Sequence, residues 1–243
     1  MLKTNHLIQS IINIFYPVIC PYCRTKVDQE FSTCNSCWPK VQRIEKPFCL
    51  QCAAPLEAAF LNEEKCGACI LTPPAFDQAL AVYAYSDLVK KIALKLKRSQ
   101  ATPTARFMAH HMHQVGKSFL QESDFIIPVP LHPNRLKQRG FNQATLLARA
   151  LAPSLKVKVN TSLLKRHRDT PSQGQLSRKS RQKNIEKAFS IHSKTNEKTL
   201  LKSTITLIDD VMTTGATLEA CAKTLKKAGV KKVNVLVFSR SIR

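Results

Sequence analysis

The chain has 243 residues and a formal net charge of +22, from 38 Lys and Arg against 16 Asp and Glu. That length holds one full α/β domain and a small extra module, and 44% apolar content allows a packed core. No apolar run approaches the roughly 20 residues of a membrane span, and residues 1–16 lack the apolar centre and small-residue cleavage site of a secretory signal, so a soluble cytoplasmic protein is expected. The charge is uneven. Residues 1–75 hold 7 basic and 6 acidic residues, whereas residues 76–243 hold 31 and 10. A field of that sign draws polyanions, whether phosphorylated substrates, nucleic acid or acidic membrane. A solvated basic surface fits it equally well.

In chain order, Leu7, Ile8, Ile11, Ile12 and Phe15 form an apolar stripe at helical spacing, which predicts an amphipathic helix over 1–16. Eight of the nine cysteines then fall into four Cys-x-x-Cys pairs: Cys20/Cys23, Cys34/Cys37, Cys49/Cys52 and Cys66/Cys69. One knuckle places two thiolates on a metal, and two knuckles complete a tetrahedral Zn²⁺ site, so four predict two closed structural sites in a double zinc ribbon over 17–75. Sequential pairing is the simplest. A cross-braced pairing, first with third and second with fourth, fits the same spacing. Closed four-thiolate sites do no chemistry; they fold segments too short to fold alone. The ninth cysteine, Cys221, reads as a small core residue.

From residue 76 to the end, apolar runs alternate with helical patterns. Strands are expected at Ala79–Tyr85, Phe125–Val129, Lys202–Ile208 and Val233–Phe238, and helices at Ser86–Lys97, Thr104–Phe119, Gln143–Ala152 and Leu218–Ala228. Such alternation predicts an α/β domain with a parallel sheet and flanking helices, whose ligands bind at the carboxyl ends of the strands. His110, His111 and His113 suggest a metal cluster, but on a helix His111 points away from the other two, so a surface helix is expected instead. After Phe125–Val129 comes a proline-stiffened loop, then Arg135, Lys137 and Arg139. His132 in that loop suits a backbone partner as well as a catalytic role. A basic segment at about 165–187 follows, with Arg166, Arg168, Gln173, Arg178 and Arg181, and reads either as a mobile lid or as a basic linker that binds nucleic acid without specificity.

The most informative stretch is 205–217, Ile-Thr-Leu-Ile-Asp-Asp-Val-Met-Thr-Thr-Gly-Ala-Thr. A buried strand ends in two adjacent carboxylates. Thr213, Thr214, Gly215, Ala216 and Thr217 then form a turn that opens a helix. Free N–H groups at a helix N-terminus make an anion site, the threonines add hydroxyl donors, and Gly215 lets a phosphate approach. Asp209 and Asp210 cannot bind that phosphate but suit the hydroxyls of a sugar bearing it. Phosphate and diol within one loop describe a ribose 5-phosphate.

This stretch resembles the phosphoribosyl-pyrophosphate (PRPP) motif of type I phosphoribosyltransferases. Pro128-x-Pro130-x-His132, Arg139-Gly-Phe-Asn-Gln143 and Arg166-His-Arg168-Asp-Thr170-Pro-Ser-Gln173 resemble the ComF family, which joins a cysteine-rich ribbon to a phosphoribosyltransferase domain; the resemblance covers nearly the whole chain. It implies PRPP bound with Mg²⁺, with the 5-phosphate on Thr213–Thr217 and the hydroxyls on Asp209 and Asp210, whose charge would stabilise an oxocarbenium-like transition state. Arg135, Lys137 and Arg139 would hold pyrophosphate, the basic segment would close as a lid, and Lys97 would face the pocket. The region over the site holds the zinc module and residues 76–105 and offers no recognisable base pocket. Two readings therefore stand side by side. One is a phosphoribosyltransferase acting in DNA uptake. The other is a PRPP-sensing or adaptor protein that handles single-stranded DNA or docks a competence helicase.

Overall fold

The computed structural model describes residues 17–57, 64–98, 101–154, 157–169, 188–193 and 200–242. The helix expected over 1–16 lies outside them. Among the described residues, the cysteine-rich part is mostly turns, with a short helix α1 (Gly67–Leu71) where a ribbon turn was expected. Strand β1 (Gln78–Ala84), helices α2 (Asp87–Leu96) and α3 (Ala101–Glu122), and β2 (Phe125–Pro128) follow. Then come α4 (Pro133–Arg139), α5 (Gln143–Leu151), the short strands β3 (Lys158–Val159), β4 (Leu164–Arg166) and β5 (Phe189–Ile191), and finally β6 (Thr204–Met212), α6 (Ala216–Lys227) and β7 (Lys232–Arg240).

The main sheet has five strands in the order β1-β7-β6-β2-β3, every neighbouring pair parallel. β4 and β5 form a separate antiparallel pair. In β7, Val233, Val235 and Val237 join the core on one face of the sheet with Leu218, Cys221 and Leu225 of α6. Leu236 and Phe238 join the core on the other face with residues of α2, α3 and α5. Both faces are covered, as a parallel sheet requires. Each fully buried side chain of this kind contributes roughly 1.5–3 kcal/mol. Helix α3 approaches β7 at Gly116, where an added Cβ would stand 2.5 Å from Leu236 Cδ2.

The local sequence explains the element starts. The Ser86 hydroxyl accepts from Val89 N–H and caps α2. The Asn142 carboxamide accepts from Ala144 N–H at 3.0 Å and donates to the Val129 carbonyl at 3.0 Å, so one side chain caps α5 and ties it to the end of β2. Residues 133–139, expected as a stiff loop, are helical. Pro133 suits a first helical turn, His132 Nδ1 accepts from Asn134 N–H at 3.3 Å, and Gly140 closes the helix in the left-handed region at φ +79°. Helix α3 is not the surface helix expected of its histidines. His111 is 7% exposed, and its Nε2 lies 2.9 Å from the Phe31 carbonyl in the cysteine-rich part.

Candidate functional site

From the centre of the sheet, β2 leads through α5 to β3 on one side, and β6 leads through α6 to β7 on the other. The chain parts between β2 and β6, and the crevice beyond the carboxyl ends of those strands is the topological switch point where open α/β sheets bind ligands. Pairing of β2 with β6 stops at Pro128↔Ile208, while β6 continues along β7 to Met212↔Arg240. The strand therefore runs through the two carboxylates rather than ending before them. Asp209 and Asp210 lie in the stretch of β6 that has lost its β2 neighbour, at the mouth of the crevice.

The two carboxylates have unlike surroundings. Asp210 is 3% exposed; Lys97 Nζ, from the residue ending α2, lies 2.7 Å from its Oδ2, and Gln143 Nε2 donates to its Oδ1 at 3.4 Å. Asp209 Oδ1 accepts the Asp210 backbone N–H at 2.9 Å. Burial first, then the charge of Asp210, holds the Asp209 carboxyl well above the usual carboxylate range, with Lys97 pulling the other way. Asp210 is thus a compensated anion, and Asp209 carries the strain of the pair. Arg139 Nη1 donates to Gln143 Oε1 at 2.5 Å, so a chain of contacts runs from α4 through Gln143 to Asp210.

Past Met212 the chain turns at Thr213, Thr214 and Gly215. Gly215 caps α6 at φ +79°, a conformation that costs an L side chain about 1–2 kcal/mol. The Thr214 hydroxyl accepts from Ala216 N–H at 3.4 Å. The helix starts at Ala216, so Ala216 and Thr217 lie in its first turn, whose N–H groups have no acceptor within the helix. The carboxylate pair and the turn that opens α6 are consecutive on one backbone.

The predicted cations divide. Arg135 and Arg139 are four residues apart on α4 and partly buried, whereas Lys137 is exposed. Arg166 does not sit in a loop. It ends β4, opposite Phe189, with its guanidinium 5.5 Å from that ring. Burial, with Arg135 beside it, lowers its pKa, while Asp169 and Asp209 oppose the shift. Arg166 thus brings positive charge to the Asp209 side of the crevice. Arg168 is exposed next to Asp169, which accepts from Asn134 Nδ2 at 2.9 Å. Gln173, Arg178 and Arg181 lie outside the described residues. Cys221 is buried on α6, and burial with Asp209 nearby pushes its thiol up, as suits a core residue.

The eight paired cysteines form two clusters, Cys20/Cys23/Cys34/Cys37 and Cys49/Cys52/Cys66/Cys69, with the sulfurs of each within 4.8 Å of one another. The pairing is sequential, not cross-braced. Cys23 and Cys34 sulfurs are 3.4 Å apart, and Cys52 and Cys66 sulfurs 3.7 Å. The edge of a tetrahedron with Zn–S bonds of about 2.3 Å is about 3.8 Å, so the donor set fits Zn²⁺. One thiol in each cluster is driven toward its ionised form: Cys23 to about 6, by Thr25 and then Cys34, and Cys49 to about 4, by Cys52.

Two features of the site carried no role in the sequence. Gln143 was visible only as the last residue of Arg-Gly-Phe-Asn-Gln; its position one residue after the cap Asn142, which turns it toward β6, was the available signal. The other is a cavity of about 310 Å³ between the second cysteine cluster and the Met212–Ala216 turn, in a region whose sequence offers no recognisable base pocket. Three-dimensional closure of the ribbon over β7 creates it, and no local pattern encodes that.

Fold and clusters together define the class, a double zinc ribbon joined to a phosphoribosyltransferase domain. A model of the double zinc ribbon domain matches residues 11–70, and one of the phosphoribosyl transferase domain matches residues 139–241. The chain is 30% identical over 233 residues to the DNA utilization protein YhgH of Salmonella typhimurium, covering 93% of this chain and 98% of that one. It is 28% identical over 233 residues to Competence protein F of Haemophilus influenzae, covering 93% and 99%, and 28% identical over 247 residues to Competence protein ComFC of Bacillus subtilis, covering 92% and 95%. The chain belongs to the ComF family of competence proteins. Among the described residues, no helix is long and apolar enough to cross a membrane.

Proposed function

We propose that the protein binds PRPP, or a related ribose 5-phosphate, in the crevice between β2 and β6. One observation carries this reading: Asp209 and Asp210 stand on the same backbone as the Gly215-capped N-terminus of α6, at the topological switch point. The 5-phosphate would lie on Thr213–Thr217 and the ribose hydroxyls on the carboxylates. Arg135, Arg139 and Arg166 are the nearby cations suited to a pyrophosphate, and Lys137, exposed on α4, is less well placed for it. Both Asp210 oxygens already face Lys97 or Gln143, so the donor set suits a Mg²⁺ ion carried by the ligand's phosphates and water better than one caged by protein. Departing pyrophosphate would leave positive charge on the ribose, and the two carboxylates would face it.

The names of the relatives support a role in DNA utilisation and competence, with the ligand as substrate or signal. The net charge of +21 on residues 76–243 supports electrostatic contact with single-stranded DNA, and a helicase is a second partner for the adaptor reading. Calorimetric titration of the zinc-loaded protein with PRPP and Mg²⁺ tests the ligand. Saturable binding that disappears in Asp209→Asn/Asp210→Asn is the expected result. Binding unchanged in that variant would move the ligand elsewhere.

A further inference from the structure

Gln143 is buried between a cation and an anion that belong to different elements. Asn142 caps α5 and holds its start to the Val129 carbonyl, just past the end of β2, so the first side chain of the helix reaches β6. Arg139, the last residue of α4, donates through Nη1 to Gln143 Oε1 at 2.5 Å. On its other side Gln143 Nε2 donates to Asp210 Oδ1 at 3.4 Å. The partners set the amide orientation, because a guanidinium only donates and a carboxylate only accepts. Lys97 Nζ holds the second Asp210 oxygen at 2.7 Å.

An amide suits this position for a chemical reason. It carries an acceptor and a donor on one planar group, so it can join a guanidinium to a carboxylate. A glutamate would set a second carboxylate against Asp210, and an apolar side chain would join neither partner. A guanidinium has five N–H donors, so Arg139 can keep Gln143 and still meet a phosphate. The two ends of this contact chain are groups suited to different parts of one ligand, Arg139 to a pyrophosphate and Asp210 to ribose hydroxyls.

We propose that Gln143 is a specificity-determining positioning residue that selects PRPP over ribose 5-phosphate. A pyrophosphate fixes Arg139, Arg139 fixes the Gln143 amide, and the amide orients Asp210 for the ribose. Ribose 5-phosphate has no pyrophosphate and leaves the Arg139 end unused. It draws on Asp210 alone, which Lys97 holds without help from Gln143. A hydrogen-bonded network of this kind discriminates against the analogue that lacks one of its partners. The role rests on the phosphoribosyl ligand proposed above.

Calorimetry of the full-length zinc-loaded protein with Mg²⁺, using PRPP and ribose 5-phosphate in parallel, tests it. Gln143→Met should lower PRPP affinity about 10-fold, the worth of one hydrogen bond to a charged group, and ribose 5-phosphate affinity less than about 3-fold. Gln143→Glu, of the same size, keeps the Arg139 partner and loses the Asp210 one, and should narrow the ratio of the two affinities in the same direction. In an Arg139→Met background, the further change Gln143→Met should add less than about 3-fold to the loss of PRPP affinity, because members of one network are not additive. Equal weakening of both ligands would make Gln143 merely structural and overturn the role, as would additive losses with Arg139→Met or wild-type protein that binds both ligands equally. Wild-type protein that binds neither ligand would instead sink the phosphoribosyl reading itself.

Discussion

The two zinc clusters are built from the same motif and sit in opposite settings. The first is bolted to helices. Tyr22 meets Phe107 edge-on at 6.0 Å, Phe31 stacks on His110 at 4.8 Å, Lys95 Nζ donates to the Pro21 carbonyl at 2.5 Å, and His111 Nε2 donates to that of Phe31. The second forms its own small core of Cys49, Cys52 and Cys69 and faces a cavity and the Met212–Ala216 turn. Arg240 joins Cys52 to the end of β7, and the Leu50 carbonyl accepts Ala79 N–H at 3.1 Å at the start of β1. A closed four-thiolate site does no chemistry in either place, but what it holds differs. One cluster braces α2 and α3, whereas the other shapes the wall of a cavity.

Breaking the clusters one at a time gives the largest effects. Cys20→Ser/Cys37→Ser and Cys49→Ser/Cys69→Ser should each drop zinc from two ions per chain to one, measured by metal analysis. Because a structural zinc supplies folding free energy outright, the first pair of changes should lower Tm by about 10 °C or more. The second pair should lower Tm less. Equal stability losses would erase the distinction.

The brace should also respond to acid. Burial holds His111 down to about 4, so it is neutral when folded, while the unfolded chain takes a proton near 6.5. The unfolded state then binds more protons between those values, and stability falls as pH drops from 6.5 toward 4, by up to about 3 kcal/mol. Denaturant unfolding of His111→Leu should start lower at pH 7, for loss of the Phe31 bond, and show a flatter pH profile across that window. A parallel profile would remove His111 as the cause.

Changes at the ligand site are smaller in stability and larger in binding. Gly215→Ala should cost about 1–2 kcal/mol from its left-handed backbone and weaken PRPP binding about 10-fold or more. Asp209→Asn works in the other direction. A carboxyl raised by burial and a neighbouring charge favours the folded state below about 3.9 and loses that contribution as pH rises through its folded pKa. Removing the charge should therefore stabilise the protein at pH 7 by about 1 kcal/mol, or about 2–4 °C in Tm, while PRPP binding is lost. A lower Tm would mean that Asp209 is not strained.

Much of this arrangement was legible in the sequence because it is local. Cys-x-x-Cys spacing, the apolar run of β6 and the turn at Gly215 each act within a few residues, and the alternation from residue 76 onward followed from periodicity. What escaped depends on distant partners. The helix α4 was masked by three prolines, one of which turned out to sit at its first position. β4 and β5 are three residues each and pair across the basic segment, so neither shows a period of its own. The strand end was placed before Asp209 because carboxylates rarely continue a buried strand; pairing with β7, unseen in the sequence of β6, carries it to Met212. His111 looked like a surface residue until the ribbon closed over it, and the same closure makes the cavity. The predicted metal pairing, by contrast, needed only the choice between two arrangements, and geometry takes the sequential one.

Hydrogen exchange of the zinc-loaded protein, with and without PRPP and Mg²⁺, tests the central claim most directly. Protection should rise in peptides spanning residues 209–219 and, more weakly, 49–55 on the second knuckle, with no change over 20–37. Unchanged exchange at 209–219, or protection centred on the first knuckle, would contradict the account.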